Sequence, residues 1–194
     1  YLQTGMVPRA LEALKRAVKL DPENGLAFYK LGAIYESILE FDQAVAAYEQ
    51  AYKLIPDLLE MNYKYGMLLF QLDKYFTAME PLRKFNIMIP DSIPVLQALG
   101  IIFMNEGRLP EAIDTYTRLT NLDMANIDNY IQIAEAFWNL GELEKAMDAY
   151  EDVLLFNDES ADILSKMGSI SGDLGEFEKT LDYLLQAAGC GTPT

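Results

Sequence analysis

The stretch that decides the fold of this chain is residues 25–58, with the sequence GLAFYKLGAIYESILEFDQAVAAYEQAYKLIPDL. Its pattern returns along the chain at a constant interval, which is the spacing between Pro22, Pro56 and Pro90. A period of about 20 to 50 residues is typical of proteins that stack one structural unit many times. The sequence therefore predicts a repeat architecture.

Small residues recur at two positions of this repeat. Small side chains allow two helices to approach closely, and the Leu and aromatic residues of other positions can then fill the space between helix pairs. The pattern therefore predicts antiparallel helix pairs. One small-residue column consists of Gly32, Gly66, Gly100, Ala134 and Gly168, and the other of Ala10, Ala44, Ala78, Ala112, Ala146 and Thr180.

A third column falls in the turn between the two helices of a pair. Gly107, Gly141 and Gly175 occupy it in the later pairs. Glycine adopts the positive φ that a tight helix end requires at low cost. Leu39 and Asp73 occupy the same column in the earlier pairs, so we expect those two turns to be less ideal.

The repeat closely resembles the tetratricopeptide repeat family over nearly the whole chain. In residues 25–58 the eight family positions are filled by Phe28, Leu31, Gly32, Tyr35, Ala44, Tyr48, Ala51 and Pro56. The resemblance implies an all-α, right-handed α-solenoid of antiparallel helix pairs with a repeat of about 34 residues. The predicted divisions are a partial repeat at 1–22 containing only a second helix, repeats at 25–58, 59–92, 93–126 and 127–160, a truncated repeat at 161–188, and a flexible tail at 189–194.

Charge and composition limit the classes of partner. The chain has a formal charge of −15, which argues against nucleic-acid binding because phosphates attract clustered Lys and Arg. Its 51% hydrophobic content supports a folded core, and no apolar run approaches the roughly 20 residues that span a bilayer. The sequence predicts no membrane insertion. It does not assign a compartment, although the cytoplasm is slightly favoured.

The residue types for common catalytic chemistry are missing. The chain has no histidine and one cysteine, Cys190, so the usual acid–base residue and a Cys-cluster metal site are both excluded. No glycine-rich loop opens a helix, as a phosphate-binding loop would. The sequence therefore predicts no catalytic residues, no metal site and no cofactor.

The resemblance also implies a binding surface. In the family, positions 2, 5, 9 and 12 of each first helix face a concave groove, and none of these positions is Lys or Arg here. The lysine-based carboxylate clamp of some family members is therefore excluded, and the asparagine ladder of glycosyltransferase members is also missing. The predicted partner-binding residues are Leu26, Tyr29, Glu36, Tyr63, Met67, Phe70, Gln97, Ile101, Met104, Ile131, Glu135 and Trp138.

This groove is predicted to be apolar, rich in aromatic residues and Met, and partly acidic. Such a surface suits an extended or helical protein segment with apolar anchors and a neutral-to-basic character. Some groove side chains could instead pack between neighbouring first helices. This applies above all to Ala33, which also lies at a groove position, and to Ile131. This is least expected of the four large aromatics, Tyr29, Tyr63, Phe70 and Trp138, because their size leaves surface to spare.

Glu135 and Trp138 lie one helical turn apart. They could act together on a partner, the ring by burial and the carboxylate by accepting a hydrogen bond. The alternative is a solvated glutamate beside a core tryptophan.

Three functions fit these features. The leading hypothesis is a non-catalytic protein–protein interaction scaffold. The alternatives are a chaperone for a secretion substrate and a regulatory domain fused to an enzyme such as a transferase.

The two ends of the array should leave apolar surface uncovered, because each repeat buries its apolar face only against a neighbour. The first predicted helix is basic, with Arg9, Lys15, Arg16 and Lys19, and the last is acidic. We expect either that further repeats flank this sequence or that molecules associate end to end.

Overall fold

Every described element is an α-helix. A computed structural model describes residues 6–156 and 160–190, and all eleven elements within them are helices. The helices are α1 (Met6–Leu20), α2 (Gly25–Ser37), α3 (Phe41–Leu54), α4 (Leu59–Gln71), α5 (Tyr75–Met88), α6 (Ile93–Asn105), α7 (Leu109–Leu122), α8 (Ile127–Leu140), α9 (Leu143–Leu154), α10 (Ala161–Asp173) and α11 (Phe177–Cys190).

Helix pairs lie within the segments that the sequence divided into repeats. For example, the segment 59–92 holds α4 and α5, and the segment 161–188 holds α10 and most of α11. α11 continues through Gly189 to Cys190, past the predicted start of the tail. Residues 191–194 of that tail lie outside the described residues.

One turn geometry closes all five first helices that are followed by a second helix. In the first example Leu39 N–H donates to Glu36 C=O (3.0 Å) and Glu40 N–H donates to Tyr35 C=O (2.9 Å). These two bonds form a Schellman motif, which satisfies carbonyls that a helix end leaves without partners. The residue of positive φ is Leu39, Asp73, Gly107, Gly141 or Gly175. The sequence correctly located all five turns, and two of them hold a residue with a β-carbon in the left-handed region.

The small-residue column brings the helices of a pair into close contact. A β-carbon added at Gly32 would lie 2.6 Å from the Tyr48 ring, and one at Gly66 would lie 2.6 Å from Leu82. Real carbon atoms do not approach so closely, so glycine is what allows these side chains to lie against the opposite backbone. Tyr48 and Leu82 are completely buried as a result.

Contacts divide the chain into two compact units, Tyr1–Ile102 and Phe103–Thr194. In the first unit, α3 contacts both α2 and α4, and the buried core includes Tyr48, Met61 and Leu69. In the second unit, α8 contacts α7 and α9, and α10 contacts α9 and α11. Its core includes Ala134, Tyr150, Ile163 and Met167. Within each described unit, contacts therefore run between helices that are close in sequence, as expected for a repeat protein.

We predict that Leu39→Gly stabilises the protein. A left-handed conformation costs a residue with a β-carbon about 1 to 2 kcal/mol, and the Leu39 side chain is 73% exposed, so little packing is lost. The expected gain in the free energy of unfolding is about 1 kcal/mol, measured by urea denaturation. Ile38→Gly is the control, because Ile38 has a negative φ. A gain in the control, or none at Leu39, would contradict the assigned turn.

A second prediction concerns the close helix contact. Gly66→Ala should destabilise the protein by about 1 to 3 kcal/mol, because the new methyl group overlaps Leu82. Gly172→Ala is a matched control within α10, where the nearest atom, in Thr180, would lie 3.7 Å away. That control should be neutral or gain up to about 1 kcal/mol. Equal urea midpoints for the two variants would show that the contact at Gly66 is loose.

Candidate functional site

The predicted partner-binding residues all lie on first helices. Eight belong to α2, α4 and the early part of α6 in the first unit, and four belong to the last turns of α6 and to α8 in the second. Leu26, Gln97 and Ile101 are exposed; Glu36, Tyr63, Met67, Phe70, Met104, Ile131, Glu135 and Trp138 are half-buried; Tyr29 is buried.

Tyr29 corrects one expectation. Its side chain is 8% exposed, and its ring centroid lies 6.0 Å from that of Tyr48. Burial, followed by hydrogen bonding and charge from Glu60, holds the pKa of Tyr29 well above its usual range. The prediction that its size leaves surface to spare is therefore wrong, because α3 and the neighbouring first helix cover the ring.

Three other predicted residues form a half-exposed row on α4. Tyr63, Met67 and Phe70 follow the spacing i, i+4, i+7, which places them on one helix face. The Tyr63 ring packs against Phe85 of α5 at 5.1 Å between centroids, and the Phe70 ring packs against Tyr75 at 5.7 Å. We call Tyr63, Met67 and Phe70 the α4 stripe. The two rings of the α4 stripe therefore pack against α5, while part of each ring remains exposed.

The acidic residue of the first unit is already engaged inside the protein. The Tyr48 hydroxyl donates to a Glu36 carboxylate oxygen at 2.6 Å, and Lys64 Nζ lies 3.5 Å from the same oxygen. Glu36 lies on α2 and Lys64 on α4, so the pair connects neighbouring first helices. The repeat pattern did not predict this role, although it contains both Glu36 and the lysine of the next first helix.

The second unit has a similar connection at a different position. Lys166 of α10 donates to Glu135 of α8 at 2.8 Å, and Asp162 lies 3.3 Å from the same ammonium group. Burial alone would lower the pKa of Lys166, but the hydrogen bond and charge of Glu135, together with the hydrogen bond to Asp162, outweigh burial and raise that pKa. Glu135 is therefore engaged within the protein. This differs from both sequence-based alternatives, in which Glu135 accepted a hydrogen bond from a partner or was solvated.

Trp138 and Ile131 both pack against the core of the second unit and stay half-buried. For Ile131 this agrees with the expectation that it packs between helices. For Trp138 it means that only part of the ring is available to a partner.

Two buried tyrosines at equivalent positions differ in their hydrogen bonds. Tyr48 and Tyr150 are three repeats apart and both are 0% exposed. The Tyr48 hydroxyl donates to Glu36, whereas the Tyr150 hydroxyl is buried with no hydrogen-bond partner among the described residues. The position equivalent to Glu36 is Trp138, which offers no acceptor. Burial, more than the opposing charges of Lys166 and Glu135, raises the pKa of Tyr150 to about 12.

A shallow cavity of about 300 Å³ lies elsewhere in the first unit. The repeat pattern did not predict it, because its walls combine the loop before α4, the first turn of α4 and the second helix α5. Its lining is largely apolar and comprises Asp57, Leu59, Asn62, Lys84, Ile87 and Met88.

Membrane-spanning and metal-binding features are absent from residues 6–156 and 160–190. No helix in these ranges combines the length and apolar character needed to cross a membrane. The same ranges contain no cluster of three or more His, Cys, Asp or Glu side chains able to hold a metal ion.

The contrast between the two tyrosines gives a prediction. Tyr48→Phe should lower the free energy of unfolding by about 1.5 to 3 kcal/mol, because it removes a hydrogen bond to a carboxylate. Tyr150→Phe removes a hydroxyl that is buried without a partner among the described residues, so it should be neutral or stabilising. Urea denaturation measures both variants. A similar loss in the two would mean that the Tyr150 hydroxyl has an acceptor.

Comparisons with known proteins agree with this arrangement. A family model described as TPR repeat matches residues 1–38, one described as Tetratricopeptide repeat matches 26–58 and 127–159, and another of that description matches 95–127. No curated protein matches the sequence.

Solved structures of similar fold are numerous. The structure titled "Crystal structure of MamA protein" has a TM-score of 0.69 and 22% identity, covering 87% of this chain and 92% of its own. The structure titled "Crystal structure of YrrB: a TPR protein with an unusual peptide-binding site" has a TM-score of 0.67 and 19% identity, covering 93% of each chain. At such identities the likeness establishes the fold alone. The family models together cover more than half of the 194 residues, and the chain therefore belongs to the tetratricopeptide repeat family.

Proposed function

We propose that this protein is a non-catalytic interaction scaffold, and that the first helices of its first unit bind an apolar segment of a partner protein. The observation that carries the proposal is the α4 stripe. Aromatic residues and Met are enriched at protein interfaces, and Met adapts its shape to different partners. Exposed Leu26 on α2 and Ile101 on α6 add apolar surface to the same set of helices.

The support behind the stripe favours binding. Tyr63 rests on Phe85 and Phe70 rests on Tyr75, so both rings are already restrained before a partner arrives. Side chains held in place lose less conformational entropy on binding. An aromatic ring that packs against its own helix pair and stays partly exposed is suited to act as an anchor.

Charge affects the partner at longer range. Glu36 is engaged by Tyr48 and Lys64, so it adds little free negative charge to this surface. The formal charge of −15 over the whole chain nevertheless repels acidic partners and attracts basic ones. The proposed partner is therefore an extended or helical segment with apolar anchors and neutral-to-basic flanks.

The similar fold of YrrB, described in its title as having a peptide-binding site, supports a peptide-binding role for this scaffold. Its 19% identity does not carry over any binding residue, so the proposed residues rest on the geometry of this chain.

The proposal predicts the behaviour of peptides selected from a displayed library. Peptides that bind the wild-type protein should bind Tyr63→Glu with Phe70→Glu at least about 30-fold more weakly, because interface aromatics typically contribute about 2 kcal/mol or more. Phe76→Glu is the control, since Phe76 is an exposed ring on the second helix α5. Circular dichroism checks that each variant is folded.

Two outcomes would count against the proposed site. Selected peptides that bind the folded double variant as tightly as wild type would move binding away from the α4 stripe. Peptides enriched in acidic rather than apolar and basic residues would contradict the proposed chemistry of the partner.

A further inference from the structure

The shallow cavity between α4 and α5 lies where this helix pair lacks a large apolar side chain. Asn62 of α4 lines the cavity. The same repeat position is filled in the other first helices α2, α6, α8 and α10 by Phe28, Leu96, Tyr130 and Leu164. Asparagine is shorter than each of these residues and is polar. The pair of α4 and α5 is therefore the one that leaves this position without an apolar side chain.

The repeat at 127–160 shows which group can occupy such a space. The ring of Tyr130 on α8 packs against the ring of Phe156, just after α9, with 5.2 Å between centroids. The Tyr130 hydroxyl lies 3.5 Å from the C=O of Met124 in the preceding loop. An aromatic ring thus lies between the start of the first helix and the end of the second.

The equivalent residues of the repeat at 59–92 surround the cavity. Asn62 and Met88 stand at the positions of Tyr130 and Phe156, and both line the cavity. The Asn62 side-chain N–H donates to Pro56 C=O at 2.9 Å, and Pro56 is the equivalent of Met124. The short amide therefore reaches the same loop carbonyl as the tyrosine hydroxyl but supplies no ring.

The amide of Asn62 also carries an unused acceptor. Its Nδ2 donates to the C=O groups of Pro56 and Leu58, at 2.9 and 3.1 Å, which fixes the orientation of the amide. Its Oδ1 is buried and has no hydrogen-bond partner among the described residues. A buried acceptor without a donor is unfavourable, so a ligand that brings an O–H or N–H group is favoured over one that does not.

The remaining walls favour a ring carried by a protein segment. Leu59, Ile87 and Met88 supply apolar surface, and methionine sulfur makes favourable contacts with aromatic rings. Ile87 is 77% exposed and Met88 is 67% exposed. A small aromatic molecule inside the cavity would leave most of this surface in water, whereas the residues on either side of an inserted side chain can cover it.

We propose that this cavity binds a tyrosine or tryptophan side chain of a partner protein. The ring would lie against Met88, as the Tyr130 ring lies against Phe156, and its O–H or N–H would donate to Asn62 Oδ1. No residue of the α4 stripe lines the cavity. This is therefore a second binding site, and it does not depend on the proposed binding of an apolar segment to the first helices.

The test is a titration of the full chain with N-acetyl-tyrosinamide, followed by NMR through the methyl signals of Ile87 and Met88. Both signals should shift and saturate, with a dissociation constant on the order of 1 mM for a single side chain. N-acetyl-phenylalaninamide lacks only the hydroxyl and should bind at least about twofold more weakly. The capped dipeptide tyrosyl-leucine should bind at least about twofold more tightly than the single residue, because its leucine covers exposed wall residues.

Two variants close the cavity. Asn62→Tyr places on α4 the side chain that α8 has, so the Met88 methyl signal should shift without any probe and should not respond when the probe is added. Ile87→Glu puts a charge on an exposed wall residue and should weaken binding at least about fivefold.

Two control variants should bind the probe like wild type. Leu155→Glu adds the same charge at the position equivalent to Ile87 in the repeat at 127–160, where Leu155 is 82% exposed. Tyr63→Glu with Phe70→Glu removes the α4 stripe and should leave the cavity intact. Failure of one proposed site is thereby distinguished from failure of the other.

Four results would overturn the proposal. Methyl signals that do not shift, or equal weakening by Leu155→Glu and Ile87→Glu, would exclude the cavity as the binding site. A phenylalanine probe that binds as tightly as the tyrosine probe would exclude donation to Asn62. A dipeptide that binds no better than the single residue would exclude a protein segment as the ligand. Circular dichroism checks each variant, and Ile87→Glu alone decides if Asn62→Tyr does not fold.

Discussion

The close contact between the two helices of a pair is the constraint on which the structure depends. At Gly32 and Gly66 no side chain can be added without overlapping Tyr48 or Leu82. Because small residues recur at this position in successive repeats, the pairs share one geometry, and a surface position on one first helix has an equivalent on the next. The candidate binding surface is therefore a consequence of how each pair packs internally.

Neighbouring first helices are held by polar contacts that vary from repeat to repeat. In the first unit Glu36 connects α2 to Lys64 of α4, and in the second unit Glu135 connects α8 to Lys166 of α10. Both acids sit at positions that face the groove in the family, yet both are used within the protein. Under the proposed function, this leaves the aromatic and Met side chains of α4 to contact the partner.

The sequence predicted the helices and the turns because their signals are local and repeat. The second repeat was placed at 59–92, and α4 begins at Leu59. The site was predicted less well, because a repeat position specifies a helix face and does not specify what a neighbouring helix covers. Tyr29 was predicted to face a partner but is buried against Tyr48. Glu36 was predicted to do the same but is paired with Lys64 of the next first helix. Contacts of this kind depend on how side chains of neighbouring repeats point toward each other, and the repeat period does not specify those directions.

The same logic explains why the surface of a repeat protein can differ from one repeat to the next. A partner segment on the first helices uses side chains left over after each pair has packed, and these differ between repeats. Ala10 and Ala17 of α1 are only partly buried, whereas Ala44 and Ala51, at the same positions one repeat later, are completely buried. The side chains of the α4 stripe, in contrast, stay half-buried after the helix pair has packed. Such half-buried positions can change from repeat to repeat without altering the close contacts at Gly32 and Gly66 that hold each pair together.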